Sequence, residues 1–190
     1  MTEIIVTNDK LRPAIQKFVL HWGDMGGQWG VNRSVAQIHA LLLVSDRPLH
    51  AEEIAETLNL ARSNVSNSLK ELASWNLVMR TPVLGDRRDH FEAEKDVWEM
   101  STRIAAMRKS REIDNAASIL AQVLAEAKDD PGVSREAVRQ LREMDGFLST
   151  VTGWFDQMAK LPREKVMPLI KMGTKLVDLI MPLVRKDTKT

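Results

Sequence analysis

The feature that most narrows what this chain can become is a switch of hydrophobic period between residues 51 and 93. From Ala51 to Asn59, residues Ile54, Ala55 and Leu58 fall on one helical face; from Arg62 to Trp75, residues Val65, Leu69 and Leu72 do the same. Directly after them, Met79 to Val83 and His90 to Ala93 read as paired strands joined by Leu84-Gly85-Asp86-Arg87-Arg88. Pro82 has no N–H to donate, so the hairpin belongs at a sheet edge. Two short amphipathic helices with a tight link, then a hairpin with a basic tip, make a winged helix-turn-helix. Such a module lays one helix in a DNA major groove and a loop on the neighbouring backbone or minor groove.

In the second helix the residues opposite the apolar face are Ser63, Asn67, Lys70 and Ser74, with Arg62, Asn64 and Ser66 flanking near the N-terminus. Arg, Asn and Ser hydrogen-bond base edges, and here they gather in the first two turns, the part of such a helix that enters the groove. Lys70 is better set for phosphate. At the hairpin tip Gly85-Asp86 is a turn-forming pair, an arginine behind it suits a narrow minor groove, and Asp86 is expected to pair with one arginine and orient it. The candidate DNA contacts are therefore Arg62, Ser63, Asn64, Ser66, Asn67, Lys70, Arg87 and Arg88. A polar helix face alone is an ordinary solvated surface, and Arg87-Arg88 alone an exposed turn; the order helix, helix, wing is what favours DNA. The competing reading is a winged helix used as a protein-interaction surface. It is kept open by a net charge of only +1 and by six basic against five acidic residues from Ala61 to Lys95, so a DNA patch must come from arrangement.

The flanks read as helix. Leu11, Ile15, Phe18, Trp22, Met25 and Trp29 form an apolar stripe, but Gly23, Gly26, Gly27 and Gly30 predict that the helix ends near Met25, with Trp29 in a glycine-rich connection. Ser34 and Gln37 have capping-box spacing ahead of Val35, Ile38, Leu41 and Leu42, and Arg47-Pro48 ends that helix. One long helix is expected from Glu99 to Lys128. A second, capped by Ser134, carries Val138, Leu141, Met144, Leu148, Val151, Phe155 and Met158. A third opens at Pro162 with a narrow seam of Val166, Leu169, Gly173, Leu176, Ile180 and Leu183 that suits a coiled-coil-like contact. The expected fold class is mostly α with a small β-wing: an N-terminal helix and glycine-rich connection (1–30), a winged helix-turn-helix (31–97), and a helical region (98–190) for dimerisation and any effector.

At 190 residues and 44% hydrophobic content the chain can bury a core. It has no Cys, which excludes disulfides, thiolate zinc sites and Cys nucleophiles. The N-terminus lacks a basic-then-apolar leader, and Lys171, Lys175 and Asp178 interrupt the last apolar run, so the expectation is a cytoplasmic, nucleoid-associated protein without a membrane span. His21, His39, His50 and His90 show no ligand spacing, Glu52-Glu53 and Asp129-Asp130 sit where helix starts and turns explain them, and no phosphate loop or nucleophile elbow is present. No enzyme activity, cofactor or metal is expected. A quaternary ammonium effector would need an aromatic cage; Trp22, Trp29, Trp154 and Phe155 are the candidates, and core packing is the competing role for each.

These segments resemble the MarR superfamily of winged-helix transcriptional regulators, most closely the branch named for the glycine betaine synthesis repressor, GbsR. The resemblance lies in Arg33-Ser34-Val35-Ala36-Gln37-Ile38, Leu41-Leu42-Leu43, Arg47-Pro48-Leu49, Glu53-Ile54-Ala55-Glu56, Asn64-Val65-Ser66, Leu72-Ala73-Ser74-Trp75-Asn76-Leu77-Val78 and Gly85-Asp86-Arg87-Arg88-Asp89-His90-Phe91-Glu92-Ala93. It covers about residues 30–100 and continues beyond only as a helical plan. It implies a homodimeric regulator of double-stranded DNA, usually a repressor, dimerised through terminal helices, with small ligands such as choline acting on some members. Two departures stand out. Ala61 occupies the position that often carries a capping Ser or Thr, leaving Ser63 as the alternative cap, and His90-Phe91 replaces a pair of wing aromatics.

Overall fold

The computed structural model describes residues 11–173. Along the chain run α1 (Pro13–Gln28), α2 (Arg33–Val44), β1 (Leu49–His50), α3 (Ala51–Leu58), α4 (Arg62–Ser74), β2 (Val78–Thr81), β3 (His90–Ala93) and α5 (Val97–Arg108). A π-helical turn (Lys109–Asp114), α6 (Asn115–Asp129) and α7 (Arg135–Ala159) follow, and a helical segment, α8, covers 163–173. The fold is mostly helical with one small antiparallel sheet of order β1-β3-β2. The chain divides into two compact units between Ala105 and Ala106.

The first unit is built on an apolar cluster of Val19 from α1, Val35, Ile38, Leu41 and Leu42 from α2, Ile54 from α3, Val65, Leu69 and Leu72 from α4, and Val78 and Ala93 from the wing strands. These include the apolar faces expected of residues 35–42 and 62–75. The cluster also takes in Met100, with Ile104 packed against it, so α5 begins as part of this unit, and the division falls beyond the boundary at 97 read from the sequence.

α1 does not stop near Met25. It continues to Gln28 because its glycines face α2: Val19, Gly23 and Gly26 are its buried row. A Cβ built on Gly26 would come within 2.5 Å of the Ala36 Cβ, and one on Gly23 within 2.5 Å of the Gln37 Cγ. Close helix approach here outweighs the roughly 1 kcal/mol cost of a helical glycine. Met25 and Trp22 flank that row, and Trp22 packs on Phe18 at 5.4 Å and on His39 at 6.1 Å. His39 is buried, its Nε2 has no hydrogen-bond partner, and burial holds its pKa down at about 4, so the ring is neutral.

The caps differ from those read in the sequence. Asn32, not Ser34, caps α2, its side chain accepting from the Ser34 N–H at 2.8 Å. His50 caps α3 in a reciprocal box with Glu53, and Asn59 ends α3 in the left-handed conformation. No side chain caps α4: Ala61 stands at its N-cap and Ser63 does not substitute. Lys95 closes the C-terminus of α2, donating to the carbonyls of Leu42, Leu43 and Ser45 at 2.7–2.9 Å. The sheet has a third strand, β1, which no periodicity announced because it is two residues long.

In the second unit the π-helical turn interrupts the long helix expected from Glu99 to Lys128. Lys109, within this turn, bonds Asp114 at 2.7 Å and Asp156 at 3.0 Å and lies 5.9 Å from the Phe155 ring. The hydrogen bond to Asp114, before that to Asp156, raises its pKa. Ser134 caps α7 as expected, its hydroxyl accepting from Ala137 N–H. α7 nonetheless buries none of its 25 residues. Leu176, Ile180 and Leu183 of the expected C-terminal seam lie outside the described residues.

The glycine contacts give a paired test. Gly26→Ala should lower stability by about 1–3 kcal/mol through overpacking against Ala36, whereas Gly27, with nothing within 4 Å of an added Cβ, should gain about 0.5–1 kcal/mol as Ala. Thermal melts of the two variants check this.

Candidate nucleic-acid interface

The wing is tied to the helix-turn-helix by its strands. β3 pairs with β2 (Arg80 opposite Phe91, Thr81 opposite His90) and with β1 (His50 opposite His90). β1 runs straight into α3, so the sheet fixes where the hairpin tip lies relative to α3 and α4. His50 and His90, both buried, meet edge to face at 5.5 Å. Gly85 turns the tip with φ +86°, and Leu84 beside it is fully exposed.

α4, the wing and the start of α3 enclose a cleft of about 570 Å³. Its walls carry five cations, Arg62, Lys70, Arg80, Arg87 and Arg88, against two carboxylates, Glu52 and Asp89. A chain with almost no net charge has gathered positive charge at one place. Of the residues expected to touch DNA, Arg62, Ser66, Lys70, Arg87 and Arg88 line this cleft together. Ser63 and Asn67 are exposed on the same helix without lining it.

Asn64 departs from the expectation. It is half-buried and its amide is spent inside the protein: Nδ2 donates to Ser34 Oγ of α2 at 3.0 Å, and Oδ1 accepts from Ser68 Oγ at 3.3 Å. Its spacing fits both roles, and the packing of α4 on α2 supplies the internal one. Arg80 is the one cation of the cleft outside the set expected from the sequence. The sequence reads it as a strand position, and its place on β2 opposite Phe91 puts it beside the wing arginines.

Three of the arginines are already paired. Arg88 forms a fork on Asp86, Nε lying 2.9 and 3.0 Å from the two carboxylate oxygens, with its terminal nitrogen also in contact. This is the pairing expected of Asp86, and the Arg88 guanidinium holds that carboxyl well below the usual carboxylate range. Arg80 pairs with Asp89 at 3.3 Å and Arg62 with Glu52 at 2.5 Å. Lys70 and Arg87 have no ion-pair partner among the described residues and project from the cleft walls. At the start of α3 the Arg47 hydrogen bonds, at 2.6 and 3.2 Å, pull the Glu53 carboxyl down to about 2.

The aromatics proposed as an effector cage have other surroundings. Trp22 packs against Phe18 and His39, Phe155 sits beside Lys109, and Trp29 and Trp154 are exposed. Among the described residues no group of three His, Cys, Asp or Glu is placed to hold a metal ion, and no helix is long and apolar enough to cross a membrane.

Residues 29–89 match the MarR family. The chain is 26% identical over 139 residues to the HTH-type transcriptional repressor GbsR of Bacillus subtilis (strain 168), a match covering 70% of this chain and 76% of that protein. A solved structure described as a transcriptional regulator superposes with TM-score 0.60 at 22% identity, covering 77% of this chain and 96% of that one, which is a likeness of fold.

Two outcomes follow from the local bonds. Asn64→Ala should cost about 1 kcal/mol of stability by leaving Ser34 and Ser68 without their partner, read as a lowered denaturation midpoint. Glu53 contributes stability that is present above its ordinary pKa of 4.5 and lost as pH falls toward about 2. The stability difference between the wild type and Glu53→Gln should therefore shrink across that interval in urea titrations.

Proposed function

We propose that this chain is a MarR-family transcriptional regulator that binds double-stranded DNA sequence-specifically as a homodimer and represses from a pseudo-palindromic operator, working in the cytoplasm on the nucleoid. The observation that carries the proposal is the cationic cleft between α4 and the wing. α4 supplies Arg62, Ser66 and Lys70 to a major groove, and the hairpin supplies Arg87 and Arg88 to the adjoining backbone or minor groove. Arg88 is oriented by Asp86, while Arg87 is free to move onto phosphate. A surface for a protein partner has no need to gather five cations from three elements around one cleft.

Dimerisation is supported by the second unit. Ile119 and Val123 on α6 and Met144, Phe147 and Trp154 on α7 are exposed, at 42–68% of their surface. Apolar side chains exposed on two successive helices are what a contact between two copies of the chain would bury. A two-fold pair of winged domains would place its half-sites about one helical turn apart.

The test is titration of the purified protein against duplex DNA from upstream of its own gene, over a salt series and against random competitor. Competitor-resistant binding with a steep salt slope is expected. Arg87→Ala and Lys70→Ala should each weaken every duplex alike and reduce the slope by about 1. A folded protein that binds no duplex at low salt would overturn the proposal. Phe147→Asp should convert a dimer to monomer in sedimentation, without lowering the melting point of the winged unit.

A further inference from the structure

We infer that Glu52 is a specificity-determining residue for DNA: its carboxylate positions Arg62 for a base edge and repels phosphate from any other register. The inference rests on the DNA-binding reading above. Glu52 is one of two carboxylates, with Asp89, in the wall of a cleft that carries five cations. The reciprocal cap of α3 is made by His50 and Glu53, with Glu53 further held by Arg47, and from the backbone Glu52 accepts only its own first-turn N–H. Glu52 instead reaches across to α4, where Oε1 lies 2.5 Å from an Arg62 terminal nitrogen, and Oε2 lies 3.0 Å from Nδ1 of the buried His50. His50 in turn is fixed by the sheet and by the His90 ring. The carboxylate thus lies against the fixed His50 ring on one side and meets Arg62 on the other. Its own backbone N–H, and beyond that the charge of Arg62, keep it ionised.

A guanidinium carries five donors in a rigid fork, so one edge can stay on Glu52 while another meets the N7 and O6 of a guanine. Arg62 is otherwise a long, largely exposed side chain at an uncapped helix start. Held by Glu52 it loses less freedom when it reads a base. The same negative charge opposes phosphate wherever the duplex sits without that contact, so sequence-independent binding is penalised more than binding in register.

A randomised duplex library supplies the probe. The wild-type protein selects a motif, and affinities for that motif and for its scrambled duplex are then measured for wild type, Glu52→Gln, Glu52→Asp, Arg62→Ala and the Glu52→Gln/Arg62→Ala double variant. Glu52→Gln should bind the scrambled duplex several-fold more tightly and cut the motif-to-scrambled ratio about tenfold, the discrimination typical of one good bidentate contact. Glu52→Asp keeps the charge but withdraws it from Arg62; it should cut the ratio without strengthening scrambled binding. With Arg62 already Ala, Glu52→Gln should strengthen scrambled binding and leave the ratio unchanged, a result a merely structural role would not give. Equal strengthening of motif and scrambled duplex by Glu52→Gln, or an unchanged ratio, would overturn the inference while the DNA-binding reading stands. A wild-type protein that selects no motif would overturn both.

Discussion

Everything in the candidate interface depends on the pairing of β3 with β1. β1 is two residues long, yet it joins the wing to the chain segment that starts α3, so the same backbone bonds that complete the sheet also set the hairpin tip against the helix-turn-helix. The two histidines that face each other across that pairing are buried and their rings touch. One caps α3 and contacts Glu52; the other donates from Nδ1 to the Arg88 carbonyl 3.0 Å away. A short strand thereby stands between the head of α4 and the tip of the wing, and a loss of register there would separate the cations that now share a cleft.

The electrostatics follow from that arrangement rather than from composition. With 27 basic and 26 acidic residues the chain has no bulk attraction for a polyanion. The cleft has a local excess of positive charge, moderated by carboxylates that pair Arg62, Arg80 and Arg88. Such pairs in exposed positions contribute little to stability, and their value lies in orientation. Lys70 and Arg87 have no ion pair among the described residues, which divides the cleft cations into those held by a carboxylate and those that are not.

The second unit has a different physical problem. Among its described residues the buried apolar ones are few, Leu124, Ala127 and Val166, while α7 buries none and exposes large side chains. The winged unit has a full core, whereas the described part of the helical unit leaves large apolar side chains uncovered.

Sequence alone determined the elements whose signal is local. The apolar periodicity of residues 35–42 and 62–75, the wing hairpin with Gly85 at its turn, and the Asp86–Arg88 pair two residues apart could all be read from spacing. Tertiary structure decided what depends on residues distant in the chain. α1 runs past its glycines because α2 approaches closely, a contact no propensity encodes. Asn64 turns inward because Ser34, thirty positions away, meets it there. Arg80 and Glu52 enter the cleft because the sheet and the α3–α4 packing carry them to it. Periodicity states which face of an element is apolar; only the partner packed on that face fixes whether a polar residue at its margin serves the core or the groove.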